Sequence, residues 1–237
     1  MRTIIILSLF AASLAAAGEP DYSEVRELSA QAGGASELRI DTGSGSLNIV
    51  GVDGLDTVEV VATINIDKIR DQDKAREIIE KYLVLTLERS GDRVELVTDF
   101  EKGMWRSDRG ANLELEVRMP AELALAVDDG SGSITIENVR AAVSVDDGSG
   151  SIKIRSVGPL RIDDGSGSIV AEDVDGDVDI IDGSGSIKVA RVTGTVTIDD
   201  GSGSINVRDV ERDLKIEDAG SGSVTVSNVA GNVETDG

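Results

Sequence analysis

The chain has 237 residues, room for one or two ordinary domains, and its 23 Lys and Arg residues against 45 Asp and Glu residues give a formal net charge of -22. This charge disfavours binding to nucleic acid or to anionic lipid surfaces. The absence of Cys and His excludes disulfides, thiol catalysis and histidine-based triads, and the aromatic content of 2% is too low for a platform that stacks sugars or bases.

Residues 1–17 are predicted to form a secretory signal peptide. Arg2 gives a short positive start, an apolar run extends to Leu14, and three alanines ending at Ala17 supply a cleavage site of small residues. A membrane anchor is the alternative, but the run is shorter than the roughly 20 apolar residues that span a bilayer. We therefore expect export to the periplasm or the cell surface, with no transmembrane span after cleavage.

An N-terminal segment, residues 18–35, leads into a first repeat copy predicted at residues 36–66. The copy is centred on the string GSGS at Gly43 and has aliphatic residues at fixed offsets on both sides. These residues are Leu38, Ile40, Leu47, Ile49 and Val52. Apolar residues that alternate with polar ones are typical of a strand with one buried face, so this segment predicts a first coil.

Residues 67–120 lack the repeat and are predicted to form a cap of one helix and a β-hairpin. Apolar residues with helical spacing predict an amphipathic helix, with Asp71 or Asp73 as its N-cap. These apolar residues are Ala75, Ile78, Ile79, Tyr82 and Leu83. Alternation then predicts a hairpin around residues 90–92 and a strand up to Pro120. Because the open end of a solenoid exposes strand edges and core, we expect this section to cover the amino end.

Residues 121–237 are a tandem repeat. From Gly130 the string GSGS recurs at spacings of 18, 17, 18, 18 and 19 residues. Alignment of the copies gives five columns of aliphatic residues. The last column is wholly valine: Val139, Val157, Val174, Val192, Val210 and Val229. Such β-branched residues suit a pleated sheet, and each copy is too short to bury its own apolar face, so the copies must stack.

The predicted fold class is all-β: a single-stranded parallel β-helix with coils of about 18 residues and an N-terminal helix-plus-hairpin cap. Two strands and a short third side in each coil predict a roughly triangular section, and right-handed winding is favoured for parallel crossovers. Glycine supplies the positive φ that a sharp corner needs, and the Asp before it can accept a hydrogen bond from a following amide.

The acidic corners are the first candidate site. Stacked copies place like charges a few ångströms apart, and a hard cation such as Ca²⁺ would relieve that repulsion. The candidate metal ligands are Asp129, Asp147, Asp164, Asp175, Asp177, Asp179, Asp182 and Asp200. The alternative is that these aspartates cap corner amides and solubilise the surface, since the calcium nonapeptide and the EF-hand loop are both missing from the sequence. No cofactor besides Ca²⁺ is expected.

A loop at residues 101–111 is the second candidate, as a partner-binding patch. It places basic and aromatic side chains in an acidic protein: Lys102, Trp105, Arg106 and Arg109. Trp and Arg are typical anchors of protein contacts. The alternative is that the Trp side chain folds back on the cap.

The order of these parts resembles the bacterial putative-adhesin family of β-strand-repeat domains, many of unknown function. The segment LRIDTGSGSLNIVG from Leu38 is followed by the helix-hairpin section, a strand ending in RMP and tandem copies of VDDGSGSI. The likeness covers residues 36–237. It implies a β-helix in an exported or envelope protein, and the family has no catalytic motif to carry over. This chain departs from the family in its unusually uniform copies.

These observations predict a non-enzymatic, exported structural or adhesin-like module of the bacterial cell envelope with an unidentified envelope or surface partner. One alternative is a Ca²⁺-stabilised periplasmic protein that polymerises end to end. A weaker alternative is a polysaccharide-acting β-helix enzyme, although evenly spaced copies leave no room for the long loops that wall a substrate groove. The carboxyl end, residues 231–237, shows no comparable cap. It is either blunted by Glu234 and Asp236 or covered by a partner, and a homo-oligomer through that end is one such arrangement.

Overall fold

The computed structural model describes residues 5–9, 21–69, 71–100 and 111–235. Within these ranges the chain is all-β with one helix, and its strands form two long sheets of 11 and 10 strands. The amino-terminal elements are β1 (Ile5–Leu9), β2 (Tyr22–Gln31), β3 (Glu37–Thr42), β4 (Gly45–Val52), β5 (Thr57–Ile66), α1 (Gln72–Tyr82), β6 (Leu83–Ser90), β7 (Arg93–Phe100) and β8 (Ala111–Pro120). The repeats supply β9 (Ala124–Asp129), β10 (Gly132–Glu137), β11 (Val143–Asp147), β12 (Gly150–Val157), β13 (Leu160–Asp164), β14 (Gly167–Val174), β15 (Val178–Asp182), β16 (Gly185–Val192), β17 (Val196–Asp200), β18 (Gly203–Val210), β19 (Leu214–Asp218), β20 (Ser223–Val229) and β21 (Val233–Thr235).

The repeat copies pair in parallel and in register, as the sequence predicts. The 11-stranded sheet contains β4, then the even-numbered strands from β10 to β20, and the 10-stranded sheet contains β3, then the odd-numbered strands from β9 to β21. Val157 pairs with Val174, and Val174 pairs with Val192, which are identical positions of successive copies. Inward-facing residues of both sheets belong to one core, so each aliphatic column is a stack of buried side chains, except at Val224, Val226 and Val229 of the last copy, which are exposed or partly buried.

The structure has two sheets in place of the three sides that a triangular section requires, so that part of the prediction is wrong. The valine column lies at the ends of the same strands that carry the isoleucines; β12, for example, includes Ile152, Ile154 and Val157. One residue with a φ between 55° and 61° precedes each valine: Asn138, Ser156, Asp173, Arg191, Asp209 and Asn228. This left-handed residue shifts the inward-outward alternation by one position, and the expected third side becomes a bend within the first sheet.

The cap contains the predicted helix and hairpin. The Asp71 side chain accepts hydrogen bonds from the amides of Asp73 and Lys74 at the start of α1, which buries one face against the core. The β6–β7 pair is antiparallel. Strands β7 and β8 pair in parallel with β3 and β4, so the first coil lies between the cap strands and the repeats.

Strand β5 falls inside residues 36–66, the range predicted as the first coil, but it runs antiparallel between β2 and β8. It therefore extends the 11-stranded sheet on the capped side. Strand β1, within the predicted signal peptide, pairs antiparallel with β2, and cleavage of that peptide stays a prediction. In the described ranges, no helix combines the length and apolar character that crossing a membrane would require.

Replacing Ile180 with alanine should lower the free energy of unfolding by roughly 2–3 kcal/mol, because the substitution opens a cavity in the core. Ile180 is fully buried, whereas its neighbour Ile181 on the same strand faces outward and is 37% exposed. The Ile181→Ala variant is the matched control, with an expected change within about 0.5 kcal/mol. Urea unfolding followed by circular dichroism measures both, and equal losses would contradict the assigned faces.

Candidate functional site

Five of the predicted metal ligands lie in one buried stack, the aspartate column: Asp129, Asp147, Asp164, Asp182 and Asp200. Consecutive members are register partners on neighbouring parallel strands, so they repeat at the strand spacing of about 4.8 Å. Each is at most 5% exposed. The residue before each one faces the other way, as exposed Asp146 does beside Asp147. Strand alternation thus separates each Asp-Asp pair into one inward and one outward carboxyl.

One carboxylate oxygen of each column aspartate caps the corner that follows it. Oδ1 of Asp147 accepts a hydrogen bond from the Ser149 amide at 3.2 Å, and the contact recurs in the next three copies at 3.0–3.2 Å. The prediction that these aspartates cap corner amides is therefore confirmed, whereas the prediction that they solubilise the surface is wrong for the five members of the column, because they are buried. The other oxygen, Oδ2, is buried without a hydrogen-bond partner in four consecutive copies: Asp147, Asp164, Asp182 and Asp200.

Burial raises the pKa of every carboxyl in the aspartate column, because loss of water disfavours the charged form. The pKa rises to about 6 for Asp147 and for Asp182, where the adjacent column carboxylates add their repulsion. The serine amide at each corner acts in the opposite direction. Protonation removes the charge that burial and the neighbouring carboxylates disfavour, so bound protons stabilise the column.

Two threonines continue the aspartate column on the capped side. The Thr98 hydroxyl donates to Thr42 Oγ1 at 2.9 Å, and Thr42 is the register partner of Asp129. Both threonines are buried. A hydroxyl both donates and accepts, so this pair is satisfied without a proton or an ion from outside. This continuation was not predicted, although the first copy carries Asp-Thr where four of the six later copies carry Asp-Asp.

The other three predicted metal ligands do not join the column. Asp175 and Asp177 accept hydrogen bonds from the Thr193 hydroxyl and the Thr195 amide, at 3.0 and 2.8 Å. Asp179 forms an ion pair with an arginine of the preceding copy. Each is engaged by an adjacent coil, so this run does not converge on one point. Across the ranges that the structure describes, no group of three or more acidic side chains has the arrangement to hold a metal ion.

The second candidate, the patch of Lys102, Trp105, Arg106 and Arg109, lies outside the described residues. Its role in binding a partner stays a prediction.

An ion-pair cluster beside the left-handed bend was not predicted from the sequence. Glu172 accepts hydrogen bonds from Arg155 at 2.7 Å and from Arg191 at 3.1 Å, and Arg208 lies 3.8 Å away. These arginines come from different copies, so the cluster links four successive copies of the repeat. Hydrogen bonding to Arg191 is the largest cause that lowers the pKa of both Glu172 and Asp173. The sequence signal was the occurrence of both charges at one position of successive copies, which is occupied by Arg155, Glu172, Ala190 and Arg208.

Comparison with known families finds no match to this sequence. Comparison with curated proteins also finds none. Among solved structures, a putative adhesin from Bacteroides fragilis is 13% identical, with a TM-score of 0.37, 90% of this chain covered and 97% of that one. A putative cell adhesion protein from Clostridium sporogenes is 10% identical, with a TM-score of 0.33 and coverage of 90% and 98%.

A putative lipid binding protein from Parabacteroides distasonis is 14% identical, with a TM-score of 0.38 and coverage of 93% and 98%. Several of these structures are thus named as adhesins, the class that the sequence resembles.

Proposed function

We propose that the protein is a non-enzymatic, exported structural or adhesin-like module of the bacterial cell envelope, built as a parallel β-solenoid. The observation that carries the proposal is the in-register repetition of outward-facing positions along two long sheets. A catalytic site needs unlike groups that converge on one point. Repeated rows instead offer the same group at each step of about 4.8 Å, which suits a rigid spacer or an extended contact surface.

The path of the chain supports the solenoid interpretation. Each repeat copy crosses from the 10-stranded sheet to the 11-stranded sheet and back, since successive strands alternate between the two. Only Gly130 and Ser131 separate β9 from β10, and no connection between strands of the described repeats is longer than five residues. Within the described repeats, such connections give no long loops to wall a substrate groove, which disfavours the polysaccharide-acting enzyme.

The outward face of the 10-stranded sheet carries an exposed acidic row. Asp128, Asp146 and Asp163 are register partners, and Asp199 continues the row after Ile181. Like charges at strand spacing repel one another unless a partner neutralises them. The row therefore fits an envelope or surface partner that presents repeated positive charge, and it opposes contact with nucleic acid.

Cell fractionation and deletion test the proposal together. We expect the protein in the periplasm or at the surface, with a mature terminus after Ala17, and we expect deletion to reduce adherence or envelope integrity. The full chain should restore the lost property. A variant lacking residues 2–17 is the control, because it keeps the repeats but should stay in the cytoplasm and restore nothing. Location of the full chain in the cytoplasm, or deletion without effect on either property, would overturn the proposal.

A Ca²⁺-stabilised assembly protein is the second candidate. The four buried Oδ2 atoms without a partner favour it, although no three acidic side chains of the described residues converge on one metal position. A cation between adjacent carboxylates would neutralise the repulsion that protons otherwise relieve. Thermal melts and light scattering with millimolar Ca²⁺ or a chelator separate this candidate from the first. A higher melting temperature and a larger particle with Ca²⁺ would support it, and no change in either would remove it.

A further inference from the structure

The outward face of the 10-stranded sheet carries an exposed isoleucine between two aspartates, a set that we call the acidic triplet. Ile181 is 37% exposed and is the register partner of Asp163 on one side and of Asp199 on the other. Among the described residues, neither aspartate has an ion-pair partner, whereas Asp179 on the same strand as Ile181 is paired with Arg161. A single exposed isoleucine is common on protein surfaces, so the triplet becomes informative only through a matching surface.

The outward face of the 11-stranded sheet carries the complementary set, the basic triplet. Val170 is the register partner of Lys153 on one side and of Lys188 on the other. Both lysines are exposed, and Val170 is half-buried. In the part of the chain that the structure describes, neither lysine has an ion-pair partner, although Glu172 on the strand between them contacts three arginines. The molecule therefore presents Lys-Val-Lys on one sheet and Asp-Ile-Asp on the other.

The two triplets have the same dimensions. Both run across three successive copies of the repeat and advance by one strand spacing of about 4.8 Å, so the outer charges of each lie about 10 Å apart. Both sheets pack on one shared core, so their outward faces point to opposite sides of the molecule. The lysines of the basic triplet therefore cannot reach the aspartates of the acidic triplet within one chain, whereas a second copy supplies the complement of each.

The charge around each triplet also favours a second copy as the partner. On strands β9 to β17 of the 10-stranded sheet, the outward positions carry five aspartates and one arginine. On strands β10 to β18 of the 11-stranded sheet, the outward positions before the bend carry four lysines and arginines against two glutamates. Opposite charges at matched positions orient such a contact, and repulsion between whole molecules of net charge -22 is screened beyond about 8 Å at physiological ionic strength.

We propose that copies of this chain associate side by side, with the basic triplet of one copy on the acidic triplet of the next. Val170 then packs on Ile181, and each lysine pairs with a carboxylate. Because the two triplets lie on opposite sides, each contact leaves one of each kind free, so the assembly is an open row of molecules and not a closed dimer. The inference rests on the proposed function, since it assigns to a second copy the partner with repeated positive charge. Its tests use purified protein, so their failure would leave the adhesin-like function standing.

Sedimentation velocity of the purified full chain over a range of concentrations tests this contact. We expect an average mass that rises past two chains with concentration and falls in about 1 M NaCl, where charges are screened beyond about 3 Å. Lys153→Glu with Lys188→Glu should weaken association at least tenfold, because both faces then carry negative charge. The matched control, Lys74→Glu with Lys81→Glu on exposed positions of α1, changes the net charge equally and should retain association.

Circular dichroism establishes that both double variants are folded. A wild-type monomer at all concentrations, or equal weakening by the two double variants, would overturn the proposal.

Cross-linking tests the same contact without changing any charge. The chain has no cysteine, so Val170→Cys and Ile181→Cys each introduce a single thiol. A short bismaleimide should join the two variants when they are mixed, because position 170 of one copy faces position 181 of the next. Either variant alone should yield no covalent dimer. Equal cross-linking in the mixture and in the separate variants would indicate random collision, and this result or a mixture without cross-links would contradict the assigned faces.

Discussion

Replacing Gly167 with alanine should lower the free energy of unfolding by about 4 kcal/mol or more, among the largest single-residue effects that we expect in this chain. A Cβ atom at Gly167 would lie 1.7 Å from the carbonyl oxygen of Gly150 and 2.7 Å from its carbonyl carbon. The obstructing atoms are backbone of the adjacent coil, so relief would require separation of the paired strands. The φ of +144° at Gly167 adds strain for any residue with a side chain.

Gly33→Ala is the control for this substitution, because a Cβ atom at Gly33 would meet nothing within 4 Å. Its effect should stay within about 1 kcal/mol. Urea unfolding compares the two variants, and failure of Gly167→Ala to fold would agree with the prediction. A loss below about 1 kcal/mol at Gly167 would show that the coils can separate at this corner without cost.

The stability of the protein should rise as the pH falls from about 7.5 to about 5, because of the aspartate column. Asp147 and Asp182 have a folded-state pKa of about 6 against an ordinary value of 3.8, so the folded state binds more protons in this range. Each group then adds about 1.4 kcal/mol, and the two add about 3 kcal/mol. The remaining members of the column also have raised pKa values, so they act in the same direction.

The gain levels off below about pH 4, because the unfolded aspartates then take up protons as well. Glu172 and Asp173 lower the stability as the pH falls further. Arginines lower the pKa of both groups, and the ion pairs with those arginines are lost when the carboxylates take up protons. We therefore expect the highest melting temperature at about pH 4 to 5.

The double variant Asp147→Asn with Asp182→Asn tests the origin of this pH dependence. Asparagine keeps the oxygen that caps the corner and replaces Oδ2 with an amide donor. We expect a higher melting temperature at about pH 7.5 and a flatter pH profile. The control is Asp146→Asn with Asp163→Asn, which changes two exposed outward carboxyls and should leave the profile's shape intact. If the Asp147→Asn, Asp182→Asn variant kept the wild-type dependence of melting temperature on pH, other groups would be responsible for that dependence.

The repeat, the cap and the stacking of identical positions could be predicted because each depends on short-range patterns. Alternation defined the strands, helical spacing defined α1, and the fixed period aligned the copies. The number of sides could not be predicted in the same way, because it depends on one left-handed residue before each valine. A compositional signal was available: four of the six residues at that position are Asn or Asp, which enter this conformation more readily than other side chains.

The candidate site was predicted in its residues but not in its environment. The sequence indicates which aspartates stack, yet burial decides whether protons or cations neutralise them, and burial depends on the packing of both sheets. The corner glycines show a similar limit. Their positive φ could be predicted from the geometry of tight turns. The close approach of Gly167 to Gly150 could not, because it depends on how adjacent copies stack.

Near-identical coils also have a kinetic consequence. A strand in the middle of the repeats could pair almost equally well with a strand one copy before or after its correct partner. Local pairing alone therefore discriminates poorly between the native pairing and a pairing shifted by one copy. The buried Thr98–Thr42 pair differs from the aspartates at the same position of later copies. It also lies beside cap strands whose sequences do not recur in the repeats. If folding begins at this pair, each later copy takes its register from the copy before it. The amino-terminal cap would then act as a template for the pairing of the repeats as well as a cover for the end of the core.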